Sequence, residues 1–152
     1  MSEIFTYYVV NEKKLPLNLD KMSDQEKYER LVEAVKANGA RWAILEFRTR
    51  DFAHALEKID AQIEGNGFLP VFTFNNSPNN VLGNDSDCPC FGYFNPEQVK
   101  DLSSALKWLD SANRLKSMFD EGGEVVEDVY NAVQSCAEEA NKRNYALAVI
   151  HS

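Results

Sequence analysis

Nucleophilic catalysis needs a base held beside the nucleophile, and this chain carries only two histidines, His54 and His151, together with three cysteines, Cys88, Cys90 and Cys136. His54 falls beside the apolar stripe of an expected helix and His151 is the penultimate residue, so packing or surface roles are expected of both. Cys88-Pro-Cys90 invites a zinc or redox reading. Structural zinc, however, takes four ligands and usually a gap of two to four residues within a cysteine pair, and no second pair exists. All three cysteines are expected as reduced thiols, since an odd number this small makes no disulfide framework. Asn84-Asp85-Ser86-Asp87 places oxygen donors at alternating positions, yet the glycine and bidentate Glu of a calcium loop are missing at their offsets. Gly65-Asn-Gly67 follows an expected helix rather than a strand, which is the wrong context for a phosphate-cradling loop. These residues predict no catalytic group, no metal and no cofactor, and the chain is expected not to be an enzyme.

Charge is the more informative signal. Sixteen basic and 24 acidic residues give a formal net charge of −8, which disfavours nucleic-acid backbones and anionic membranes and favours a cationic partner. From Ile59 to Val99 there is no Lys or Arg, and from Phe119 to Glu139 seven acids occur without a base. Asp85, Asp87, Asp120, Glu121, Glu124, Glu127 and Asp128 are therefore the expected partner-binding residues. Glu124, Glu127 and Glu138 fall on the polar side of an expected helix, where a solvated face is the plainer alternative.

Elements that would position these groups follow from periodicity. Ile4 to Val10 is β-branched and aromatic and apolar on both faces, which suits a buried strand. Ser23 with Glu26 three residues on reads as a capping box, opening a helix with Tyr28, Leu31, Val32 and Val35 inward and Asn38-Gly39 as a left-handed stop. Trp42 to Phe47 predicts a second strand, and Asp51 a cap for a helix with Phe52, Leu56, Ile59 and Ile63 on one side. Phe68 to Phe74 has strand composition with Pro70 restricting it to an edge or a strand start. Asn75 to Cys90 is the long aperiodic segment. Asn95-Pro96-Glu97-Gln98 supplies an N-cap, a proline at N1 and a Gln at N3 for a helix carrying Val99, Leu102, Leu106 and Leu109. A short helical piece near Ala112 to Phe119 ends at Gly122-Gly123. The last helix, Glu124 to about Arg143, presents Val125, Val129, Val133, Cys136 and Ala140 inward, and Asn144 caps it. Tyr145 to Ile150 then forms an apolar, central strand. These elements predict a single α+β domain over residues 1–152, a mixed sheet of about four strands packed with about four helices. No run approaches the roughly 18 apolar residues of a membrane span, and the first ten residues lack the pattern of a secretory signal, so a cytoplasmic location is expected.

Tyr93-Phe-Asn-Pro96-Glu-Gln-Val99, the Leu-rich helix after it, Phe119-Asp120, and a long helix containing Ala140 that leads into the strand YALAVI resemble the YfbM-like family of bacterial proteins. The resemblance spans residues 91 to 151. It implies a small α+β bacterial protein of a family without an assigned function, and it carries over no catalytic residue.

The function expected from these features is protein binding, most concretely a bacterial immunity protein that occludes the active site of a cognate, basic toxin. The alternatives are a small enzyme using the Asn/Asp-rich loop, or a ligand-binding housekeeping domain whose aromatics Tyr7, Tyr8, Phe72, Phe74, Phe91, Tyr93 and Phe94 line a pocket.

Overall fold

The computed structural model describes residues 3–16, 21–64 and 91–151. The expected strand at 68–74 and the loop at 75–90 lie outside the described residues. A four-stranded sheet has the order β2-β1-β4-β3, from β1 (Glu3–Val10), β2 (Ala40–Phe47), β3 (Phe91–Phe94) and β4 (Ala146–His151). Four helices pack on it: α1 (Asp24–Asn38), α2 (Thr49–Glu64), α3 (Pro96–Ser111) and α4 (Leu115–Arg143). The α+β class thus stands as expected; the described residues form four strands and four helices, β3 being a strand that the sequence did not predict. All three strand pairings are antiparallel, where a mixed sheet was expected. Strands apolar on both sides suggest parallel pairing because such sheets are covered on both faces. Here helices cover both faces of an antiparallel sheet, which produces the same signature.

Alternation along β1 divides the core in two. Phe5, Tyr7 and Val9 face α2, α3 and α4, together with Phe94, Leu147 and Val149. Tyr8 and Val10 face the other way, toward Leu31 and Val35 of α1, with Tyr93, Ala146, Ala148 and Ile150. The aromatics considered for a single pocket are therefore split by the sheet: Tyr7 and Phe94 belong to one core and Tyr8 and Tyr93 to the other. Each fully buried Leu or Ile contributes roughly 1.5–3 kcal/mol of apolar transfer, and Leu102, Leu106, Leu109, Ile59, Ile63 and Leu147 are all at that limit. Phe5 stacks on Phe52 with ring centroids 3.9 Å apart, tying β1 to α2.

Helix ends follow the capping chemistry with four adjustments. Asn95 and Gln98 form a complete reciprocal box, with the Gln98 N–H donating to Asn95 Oδ1 at 2.8 Å and the Asn95 N–H donating to Gln98 Oε1 at 2.9 Å. Ser23 Oγ accepts from the Glu26 N–H at 3.3 Å, and Asn144 ends α4 in the left-handed region at φ 58°. By contrast α2 begins at Thr49, so Asp51 lies in its first turn rather than at the cap. Gly39 is extended, at φ −92° and ψ 153°, and is not a left-handed stop. Its lack of a side chain answers a close approach instead, since a Cβ there would come within 2.6 Å of the Val35 carbonyl oxygen. The helical piece expected from Ala112 starts at Leu115, because Asn113 turns the chain at φ 57° between α3 and α4. Gly123, at φ 75° and ψ −167°, kinks α4 where the glycine pair was expected to break it.

Candidate functional site

The acids singled out from sequence gather around that kink. Asp120 and Glu121 close the segment before Gly123, and Glu124, Glu127 and Asp128 open the segment after it; all five are exposed. Glutamates in the first turn of a helical segment also complement its dipole, which accounts for part of their placement. No ion pair joins these five to a Lys or Arg among the described residues. The other end of the acidic stretch is different: Gln134 Nε2 donates to Glu138 Oε2 at 2.8 Å, and Arg143 Nε to Glu139 Oε1 at 2.6 Å. Of the seven acids only Glu139 is neutralised by a cation among the described residues, so the five at the kink keep their full charge, as does Glu138. Asp85 and Asp87 lie outside the described residues, so their relation to the kink is not part of the geometry.

The structure adds Trp42, which sequence reasoning placed simply at the start of a strand. The register of β2 against β1 slips between Tyr7 and Tyr8, which pair with Ala43 and Arg41 and leave Trp42 as the extra residue. Such a bulge re-aims a side chain. The Trp42 Nε1–H donates to Ser135 Oγ of α4 at 2.9 Å, and the residue remains 40% exposed. At 100° per residue Ser135 shares a helical face with Glu124, Glu127, Asp128 and Glu138, and lies about 10 Å along the axis from Asp128 at 1.5 Å per residue. An aromatic surface is thus pinned against the same helix face that carries the carboxylates. Tryptophan at the head of a strand was the visible signal; the bulge that turns it toward α4 had none.

The elements on the other side of the sheet carry mixed charge rather than an acidic excess. Residues 1–58 contain ten Lys or Arg and ten Asp or Glu, so 16 − 10 = 6 bases and 24 − 10 = 14 acids remain in residues 59–152, and the whole net charge of −8 falls there. Lys13, Lys14, Arg30, Lys36 and Arg41 lie on α1, on the 3-10 turn Glu12–Lys14, or at the start of β2.

One thiol and two phenols are withdrawn from solvent, whereas a histidine is not. His54 is exposed on α2. Cys136 is fully buried, and desolvation pushes its thiol well above the ordinary range. The Tyr7 phenol is likewise pushed up, by burial first and then by Cys136. Tyr93 donates its hydroxyl to Glu12 Oε2, tying β3 to the 3-10 turn, and burial followed by that carboxylate raises its phenol. Among the described residues no group of three or more His, Cys, Asp or Glu side chains is placed to hold a metal ion, and no helix is long and apolar enough to cross a membrane. No family model, curated protein or solved structure matches this chain.

Proposed function

We propose that the chain is a protein-binding module that holds a cationic partner on the kinked face of α4, and more specifically a bacterial immunity protein that occludes the active site of a basic toxin. The observation carrying this reading is the set of five exposed carboxylates at the Gly123 kink, unpaired among the described residues, beside an exposed Trp42 anchored on the same helix. Unpaired like charges repel one another, and beyond the helix-dipole contribution of the glutamates they remain available to steer association. Tryptophan is enriched among the few side chains that dominate binding energy, and an indole beside a carboxylate cluster suits a partner presenting Lys or Arg next to an apolar contact.

The test compares wild type with Glu124→Lys/Glu127→Lys/Asp128→Lys and with Trp42→Ala as bait in extracts of the native host, with folding checked by circular dichroism. A basic protein retained by wild type at about 0.15 M salt, released as salt screens the charges, and lost from both variants supports the reading. Co-expression with the captured protein should then protect growth only with the wild-type chain. An identical set of captured proteins from all three baits would end it.

A further inference from the structure

The sheet face opposite α4 is only partly covered. Helix α1 packs over Tyr8, Val10, Tyr93 and Ala148, while toward the β2 edge the face opens: Ile44 is 55% exposed and Ile4 42%. Between the end of α1 and this open area lies a cavity of about 450 Å³ lined by Thr6, Tyr8, Lys36, Gly39, Arg41 and Ile150. Its chemistry is sorted by position. Lys36, in the last turn of α1, and Arg41, on β2, supply two exposed cations from two different elements, neither in an ion pair among the described residues. Thr6 and Tyr8 stand two apart on β1, hence on one face, and are buried apart from their side toward the cavity; neither hydroxyl has a hydrogen-bond partner among the described residues. Gly39 makes the enclosure possible, since its bare Cα lets the end of α1 settle on the Tyr8 side chain, 3.4 Å from where a Cβ would stand. The floor continues as a cross-strand row, with Thr6 paired to Ile44 on one side and to Ile150 on the other.

We propose that this cavity binds a phosphate monoester with a small apolar body. Two cations approaching from a helix and a strand match the charge of a dianion, and Arg presents a planar fork suited to phosphate oxygens. The Thr6 and Tyr8 hydroxyls, open to solvent through the cavity, supply two further donors that a ligand oxygen would engage in place of water. The apolar portion lies on Ile44, which otherwise exposes hydrocarbon to water, next to the buried Ile150 at the cavity wall. The cavity on the other flank of α1 is also cationic, through Lys13, Lys14 and Arg30, but Glu33 stands among them and no buried hydroxyl faces it. Glu46 lies on the same sheet face as Ile44, paired with Ile4, and so marks the limit of the site on that side. This inference does not depend on the α4 reading, because the two sites share no residue.

Phenyl phosphate is the probe, with inorganic phosphate and phenol as controls, titrated into the whole chain and followed by amide chemical shifts. Saturable shifts centred on Thr6, Tyr8, Arg41 and Ile150 are expected, with phenyl phosphate tighter than either control. Lys36→Ala and Arg41→Ala, both at exposed positions, should each weaken binding by about tenfold, the usual worth of a hydrogen bond to a charged group. Lys36→Glu should abolish it. No saturation by about 10 mM, shifts centred elsewhere, or affinity unchanged in Arg41→Ala would overturn the site, and inorganic phosphate binding as tightly as phenyl phosphate would overturn the apolar subsite.

Discussion

Tyr130→Phe removes one oxygen from the junction of α3 and α4 and leaves the packing volume almost unchanged. The Tyr130 hydroxyl donates to the Leu106 carbonyl at 2.9 Å in a buried setting, and its ring meets Phe119 edge-on with centroids 5.6 Å apart. A neutral buried hydrogen bond is worth about 0.5–1.5 kcal/mol net. Because Leu106 lies mid-helix and its carbonyl also serves the α3 ladder, the loss belongs in the lower half of that range, or roughly 1–3 °C in melting temperature for a chain of this size. The pH dependence is the sharper signature. Burial, and secondarily the Asp110 carboxylate, push the Tyr130 phenol up to about 12, against an unfolded value near ~10. The fold holds the neutral phenol, so this stabilisation is complete below about pH 10 and is lost as pH rises through the folded value. The wild type should therefore forfeit of order 1 kcal/mol of Tyr130-linked stability by about pH 11, which the phenylalanine variant has no means to lose. Tyr7 and Tyr93 are raised as well and weaken both proteins in alkali, so the difference between the two isolates Tyr130. Urea denaturation followed by far-ultraviolet circular dichroism from about pH 8 to 11 reads it. Wild type should lead at the lower pH and the gap should close at the higher; a gap independent of pH would refute the assignment of the raised phenol to Tyr130.

Three further outcomes are expected. Gly39→Ala places a Cβ 2.6 Å from the Val35 carbonyl oxygen and should cost about 1–3 kcal/mol through overpacking, measured by thermal unfolding. In a Cys88→Ser/Cys90→Ser background, Cys136, buried and raised by desolvation, should ignore a thiol reagent until urea unfolds the chain, while the double replacement itself shifts stability by no more than about 0.5 kcal/mol. Deleting residues 145 to 152 removes the strand between β1 and β3 and should abolish the cooperative thermal transition.

What could be read from residues and what could not divide along physical lines. Helix stripes were legible because burial imposes a 3.6-residue period: Phe52, Leu56, Ile59 and Ile63, and likewise Val99, Leu102, Leu106 and Leu109, are buried as their spacing requires. The strand YALAVI reads as central because no polar residue in it could face water, and β4 does lie between two strands. Strand β3 escaped notice because four residues, FGYF, with a glycine among them and a strong helix start directly after, leave no alternation to detect. Strand direction was misread because two-sided burial does not distinguish parallel from antiparallel pairing when helices cover both faces. The acids of α4 could be named one by one, since charge is carried by residue type. Trp42 and the Thr6–Tyr8–Lys36–Arg41 cavity could not, because they depend on a bulge in β2 and on how closely α1 settles over β1.

The two candidate surfaces coexist on a strongly acidic chain because the fold keeps their charges apart. Helix α4 lies on one face of the sheet and α1 on the other, and with layers packed about 10 Å apart the α4 carboxylates stand roughly 20 Å from the end of α1. Screening at physiological salt decays over about 8 Å, so an anion approaching Lys36 and Arg41 experiences those nearby cations far more strongly than the distant acids. The net charge of −8 is then a poor guide to what the open face can bind, although it fits the α4 face well. Independence of the two surfaces has a measurable consequence. Glu124→Lys/Glu127→Lys/Asp128→Lys changes the formal charge by six, yet it should leave the phenyl phosphate affinity at about 0.15 M salt within about twofold of wild type. A much larger gain in affinity would mean that the whole-molecule field, rather than the local pair of cations, governs anion binding, and that the charge separation across the sheet does not insulate one face from the other.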